Sequence, residues 1–429
     1  MVHENETHID IFNNRYEFYP ESSIKITFKQ GKQSKEARSR FEEISDTLKA
    51  DYLKNRLLRI NSADFSELED SEKNILSRLV GGITSEVGRA LVGLTFLQLT
   101  IKSIKPIQNI RLHKGNNRKD SFSWEEGISM RTLDKNFTTP FLREMGFLNL
   151  NRDGVFMTRS LSENYPYTPL YKAQMKGPFK EWITIVNFIE EKPEKSSVAL
   201  DYLMSLLSNR SVKYNELVEK TCQLAENFKN RTFEDYKEFL EKFFNQTNYS
   251  ARAFEVVLHA LYQVLDSNNF LSDLDLKPMT QMRSANKKHG NVGDIELAEN
   301  EEIIEAWDAK FGKPYLRDEL EELNDKLNEN NSVKIAGFVS NVELELRDVE
   351  SRRSEIEFNS DTKIYLYTFE EWVQYVIKDI PLEELPRIGY EWVNAVVETF
   401  SRKRIDIAPI DEPCFDWLED LAKRLEEAN

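Results

Sequence analysis

Residues 291–311 read NVGDIELAENEEIIEAWDAKF, and this pattern decides how the second half of the chain is organised. Segments 292–297 and 303–311 are short runs rich in apolar residues, separated by the polar AENEE turn, which is how a β-hairpin is written. Side chains two apart on a strand share a face, so Asp308 and Lys310 point one way while Trp307, Ala309 and Phe311 point the other. Charge on a core-facing strand costs desolvation energy and is retained where it is paired or holds a metal. Asp294, Asp308 and Lys310 therefore call for a reason beyond folding.

The flanking segments supply a frame. Upstream, 250–265 (SARAFEVVLHALYQVL) has apolar residues at Phe254, Val257, Leu258, Leu261, Val264 and Leu265, a helical period with one buried stripe and Glu255 at its edge. Downstream, leucines at 316, 320, 323 and 327 mark a helix over 315–327. Segment 333–339 then reads as a third buried strand, 341–359 as a long helix and 363–368 as a fourth strand.

Gly293-Asp294 followed by Asp308-Ala309-Lys310 resembles the signature of the PD-(D/E)xK nucleases, with the type II restriction endonucleases as the nearest class. Gly293 stands where the family name has proline. An acid followed two residues later by lysine is common in a chain with 31% charged residues, so the order helix, three strands, helix, strand carries as much weight as the triplet. The resemblance implies a restriction-endonuclease-like αβββαβ core, with the 315–327 helix as an insertion. It implies Mg²⁺ held by Asp294, Asp308 and the backbone carbonyl of Ala309, with Lys310 orienting or deprotonating the attacking water or stabilising the pentavalent transition state. By the same resemblance Glu255 holds a second cation or positions Lys310. Double-stranded DNA is then the substrate, and a two-fold homodimer is the simplest arrangement for cutting both strands of a palindrome. Two other readings stay open: a repair, recombination or mobile-element nuclease with the same site, and a non-catalytic DNA-binding protein whose carboxylates are idle. Taken singly, Asp294 also reads as a turn residue, Asp308 with Lys310 as a surface ion pair and Glu255 as a helix-surface acid.

Composition narrows the classes. The 40% hydrophobic content and six tryptophans fit globular folding in two or three domains. No apolar run is expected to reach membrane-spanning length, and the polar start MVHENETHID is unlike a signal peptide, so a cytoplasmic location is expected. Cys222 and Cys414 form no CxxC or Cys/His cluster, which argues against a zinc site or disulfide framework. The absence of GxxxxGK[ST], GxSxG and HExxH signals excludes the nucleotide-binding and hydrolase chemistries they carry, so no nucleotide cofactor is expected.

The net charge of −16 is unfavourable for a DNA enzyme only if the charge is uniform, because phosphate affinity depends on local patches. Between residues 87 and 119 there is no acid, while Arg89, Lys102, Lys105, Arg111, His113, Lys114, Arg118 and Lys119 all fall there. A stretch over 25–40 carries six cations against Glu36 and reads equally well as a solvated face. Arg283, Lys287, Lys288 and His289 directly precede the hairpin, where they would grip the backbone beside a cut. In the first half, 23–28 reads as a strand and 71–100 as two helices around Gly81-Gly82. Thr138-Thr139-Pro140 starts a helix ending near Gly146, and 147–150 with 155–158 flank the turn Asn151-Arg152-Asp153-Gly154. Helix then hairpin is winged-helix-like, with Arg152 at the wing tip. The expected architecture is multidomain α plus α/β. A largely helical recognition region spans 1–175, a helical connector 176–245, and a catalytic domain 246–429.

Overall fold

The computed structural model describes residues 7–20, 24–118, 121–279, 291–347 and 349–428. The chain divides into two compact units, Met1–Lys213 and Tyr214–Asn429, each with its own hydrophobic core. Together they hold a three-stranded and a mixed five-stranded sheet among many helices.

The first unit opens with an antiparallel meander, β1 (His8–Ile11), β2 (Arg15–Tyr19) and β3 (Ile26–Lys29). Phe18 and Phe28 from neighbouring strands pack with Leu112 and Trp124 under one face. The helices are α1 (Lys35–Lys49), α2 (Tyr52–Leu57), α3 (Asp70–Gly81), α4 (Glu86–Ile104), α5 (Met130–Leu133), α6 (Thr139–Glu144) and α7 (Phe179–Glu191). A long helix, α8 (Ser196–Asn227), contains the division between the units. Residues 176–245 are shared out, since α7 packs on α3 and α4. Ser85 caps α4 through the Gly88 N–H, and every residue from Gly88 to Lys102 is buried. Such a helix, apolar all round, belongs at the centre of a core. Contrary to the sequence expectation, α4 is long and apolar enough to cross a membrane; its apolar window is 83% buried within the protein.

The hairpin expected over 147–158 does not form. Residues 155–157 make a single 3₁₀ turn, and no strand lies between 139 and 158, so the winged-helix-like unit is absent. Asp134 explains the difference. Buried at the end of α5, its carboxylate accepts from the Val155 N–H at 2.7 Å and from the hydroxyls of Thr138 and Thr139 at 3.0 and 2.8 Å. The N–H that a hairpin would have paired across strands is already taken. Gly154, at φ +92°, makes the approach feasible, because a Cβ there would lie 2.1 Å from the Asp134 carboxylate.

In the second unit the end of α8 is followed by α9 (Phe233–Gln246) and α10 (Ser250–Ser267), packed on each other. The sheet runs β4 (Asp275–Leu276), β5 (Ile295–Glu299), β6 (Glu302–Lys310), β7 (Ile335–Ser340) and β8 (Lys363–Thr368) in spatial order. β5 and β6 form the expected antiparallel hairpin. Its turn residues Asn300 and Glu301 both have positive φ, as a two-residue type I′ turn requires. β6, β7 and β8 are parallel, linked by the crossover helices α11 (Arg317–Glu329) and α12 (Val349–Ser360). The remaining helices are α13 (Phe369–Ile377), α14 (Leu385–Phe400) and α15 (Cys414–Ala428). α12 is shorter than the expected 341–359 because 341–347 is a loop, fixed by bonds such as Glu345 N–H to the Pro314 carbonyl at 2.7 Å.

Strand alternation sorts the two faces. Ala306, Ala336, Phe338, Ile364 and Leu366 pack with leucines 316, 320, 323 and 327 and with Ile356. Leu297, Trp307 and Val339 join the opposite core with residues of α10, α13 and α14. Trp307 lies across β7 to stack on Tyr365, with ring centroids 6.2 Å apart, and Gly337 gives it room, since a Cβ there would meet the indole at 2.4 Å.

Candidate active site

Asp294 sits one residue before β5, where the register pairs Ile295 with Trp307. One step further along that register brings Asp294 beside Asp308. The Asp294 carboxylate accepts the Ala309 N–H at 3.0 Å, and the two aspartates hydrogen-bond each other. Gly293 permits this closeness. A Cβ at that position would lie 2.6 Å from the Trp307 carbonyl oxygen and 3.0 Å from its nitrogen, both in backbone that cannot step aside. Glycine at this position is thus a requirement of this packing.

Lys310 completes the pair of side chains on the outer half of β6. Its Nζ lies 2.9 Å from Asp308 Oδ2, with the two side chains 19% and 15% exposed, and 5.8 Å from the centre of the Phe338 ring. Glu255, on α10, is buried and bonded to Arg252 one turn earlier. The fields of Asp308 and Lys310 both reach it.

The electrostatics turn on carboxyls crowded together in a buried place. Burial, reinforced by Glu255 and Asp308, pushes the Asp294 carboxyl well above the usual range. Burial also acts on Asp308, but the Asp294 hydrogen bond and the cations Lys310 and Lys326 outweigh it and hold Asp308 low. Lys310 is raised, because Asp308 more than offsets its own burial, so it stays an ammonium. Glu255 is raised by burial, with Arg252 opposing and Asp308 adding. Two close carboxyls with split affinities share one proton, and a divalent cation would take its place.

Among the described residues no group of three or more His, Cys, Asp or Glu side chains is arranged to hold a metal ion. Two carboxylates do not make such a group, yet they suit Mg²⁺, which takes one or two carboxylates and fills its octahedron with water and substrate oxygens. The donor set is oxygen only, and the charge crowding at Asp294 is what such an ion relieves. The residues present therefore fit the cation.

The basic residues divide sharply. Lys102 is 3% exposed and bonds the Gln108 carbonyl at 3.0 Å and Glu190 at 2.9 Å; Arg111, also 3% exposed, bonds the Tyr167 carbonyl at 2.9 Å and Asn187 at 2.7 Å. Neither is available to DNA, which corrects the expectation drawn from the acid-free stretch. Lys105 pairs with Glu43 at 2.6 Å, and Lys114 bonds the Asn164 amide and lies 5.9 Å from the Phe122 ring. Arg118 and Arg152 are exposed. Lys119, Arg283, Lys287, Lys288 and His289 lie outside the described residues.

Two residues beside the site had been passed over. Glu296 is a buried carboxylate between the apolar Ile295 and Leu297, a signal the alternation offered. Lys326 has its hydrogen-bond partner 34 residues away and gave no local sign. The chain matches no protein-family model and no curated protein sequence.

Proposed function

We propose that the chain is a Mg²⁺-dependent nuclease of the PD-(D/E)xK type, with a restriction-endonuclease-like core, that hydrolyses phosphodiester bonds in double-stranded DNA. The supporting observation is the Asp294–Asp308 pair, forced together at the start of the hairpin with Lys310 and Glu255 in electrostatic reach. Asp294, Asp308 and the Ala309 carbonyl would hold the cation. When bound it neutralises charge on the scissile phosphate and makes a water more acidic. Lys310, held protonated by Asp308, stabilises the negative charge that builds on phosphorus; its raised affinity for the proton favours this electrostatic role over that of a base. Glu255 sets the field around Lys310 from α10.

In the restriction reading the enzyme works as a two-fold dimer on specific sites in the cytoplasm. The burial of Lys102 and Arg111 and the missing wing remove part of the basis for sequence recognition in the first unit. Those observations favour giving equal standing to a nuclease acting in repair or on mobile elements. Asp308→Asn keeps the shape and removes a charge; DNA cleavage with Mg²⁺ should fall about 10³-fold, the scale of losing one preorganised charge contact. Cleavage at the wild-type rate would sink the assignment. Discrete fragments from linear DNA mark a restriction enzyme, and nicking confined to branched DNA marks a repair enzyme. A DNA shift indifferent to Mg²⁺, without scission, would leave a binding protein.

A further inference from the structure

The backbone just ahead of Asp294 is held in an unusual way. β5 begins at Ile295, so Val292 and Gly293 precede the strand. Val292 is nevertheless 1% exposed and packs with the leucines of α11. Buried backbone polar groups need partners, and here charged side chains supply them. Glu296 accepts the Val292 N–H at 2.6 Å and the Gly293 N–H at 3.3 Å. From α11, Lys326 donates to the Val292 carbonyl at 3.1 Å. Its nearest carboxylate, Glu322, is 3.6 Å away and half exposed, a weak claim on the ammonium.

We propose that Lys326, acting with Glu296, is a positioning residue that clamps residues 292 and 293 and thereby fixes Asp294 against the Ala309 N–H. The inference rests on the nuclease reading of the site. Gly293 lies on the Trp307 backbone with no Cβ between them, so apart from the Val292 side chain this short segment has no strand ladder to hold it. Without the clamp, the Asp294 carboxylate loses its fixed distance to Asp308. Lys326 also faces Asp308, whose carboxylate it helps keep ionised, and Glu296. A helix inserted between two parallel strands thus reaches back to the first catalytic carboxylate. Supporting groups around a metal site typically carry about 10- to 100-fold in metal affinity or activity.

The test is calorimetric titration of Mn²⁺ into the full-length wild type, Lys326→Met, Lys326→Arg and Asp308→Asn, with thermal unfolding of each. Lys326→Met should weaken Mn²⁺ binding about 10-fold or more. Lys326→Arg, which can still donate to the carbonyl, should recover most of it at an equal unfolding temperature. A merely structural lysine would move the unfolding temperature and leave the affinity of the folded protein alone. If Lys326→Met does not fold, Lys326→Ala, which also removes the donor, is titrated in its place. Wild-type Mn²⁺ affinity in the Met or Ala variant overturns the clamp and leaves the nuclease reading intact. Failure of the wild type to bind Mn²⁺ more tightly than Asp308→Asn overturns both.

Discussion

In the first unit, Lys102 and Arg111 lie buried within an acid-free stretch, and each ends on a partner made for it. Lys102 meets Glu190 and a carbonyl, and Arg111 meets a carbonyl and the Asn187 amide. In the second unit, Asp294 and Asp308 are buried too, but they end on one another, with Lys310 and, at longer range, Lys326 acting on Asp308. Both clusters have similar burial and opposite outcomes. Where the fold neutralises a charge with its own partners, the residue serves the fold. Where it leaves two carboxyls in contact with their proton affinities driven apart, the site is a candidate for binding a cation.

The largest effect expected from breaking this contrast comes at Gly293. Gly293→Pro places a Cβ against the Trp307 backbone, at the 2.6 Å approach noted above. It also removes the N–H that Glu296 accepts. Cleavage should fall about 10²- to 10³-fold through misplacement of Asp294. Wild-type cleavage by this variant would show that Asp294 does not depend on the glycine contact.

Next is Lys102→Met, which strands the Glu190 carboxylate, 15% exposed, without its cation. Breaking a buried pair by removing one partner typically costs about 3 kcal/mol or more, so denaturant unfolding should show a large loss. DNA affinity of the folded protein should not change. Intact stability with lost DNA affinity would return Lys102 to the surface and erase the contrast.

These two cases also show where the sequence was legible. The β5–β6 hairpin, β8 and the leucine stripe of α11 follow from periods of two and of three to four, because each period reports one buried face. The Asp294, Asp308 and Lys310 cluster was readable for the same reason, since charge on an apolar strand stands out against the alternation. The fate of the basic stretch was not readable. Glu190 lies 88 residues from Lys102 and Asn187 lies 76 from Arg111, and no local pattern announces a partner at that distance. The missing hairpin over 147–158 has the same origin, because Asp134 takes the Val155 N–H from 21 residues upstream. The meander β1 to β3 was seen only as a single strand, its four- and five-residue segments being too short to show alternation.

The smallest change in stability is the one that separates function from fold most cleanly. Asp294 has its carboxyl raised in the folded chain, by burial and then by Glu255 and Asp308. Ionising it in the folded state therefore costs stability at any pH above its folded value. That cost disappears as pH falls toward the ordinary range of an aspartate, where the residue is protonated folded and unfolded alike. Asp294→Asn removes the charge and keeps the shape. In the metal-free protein at pH 8 it should raise stability by about 1 kcal/mol, a shift of a few degrees in Tm, while abolishing Mg²⁺-dependent cleavage. The gain should shrink when the same pair is melted in chelator at pH 5, closer to the ordinary aspartate range, where holding a raised carboxyl in the fold costs less. A variant less stable than wild type at pH 8 would mean that the Ala309 N–H and the Asp308 carboxyl satisfy an ionised Asp294 fully. The two aspartates would then be a resolved pair like Lys102 and Glu190, and the case for a cation between them would fail.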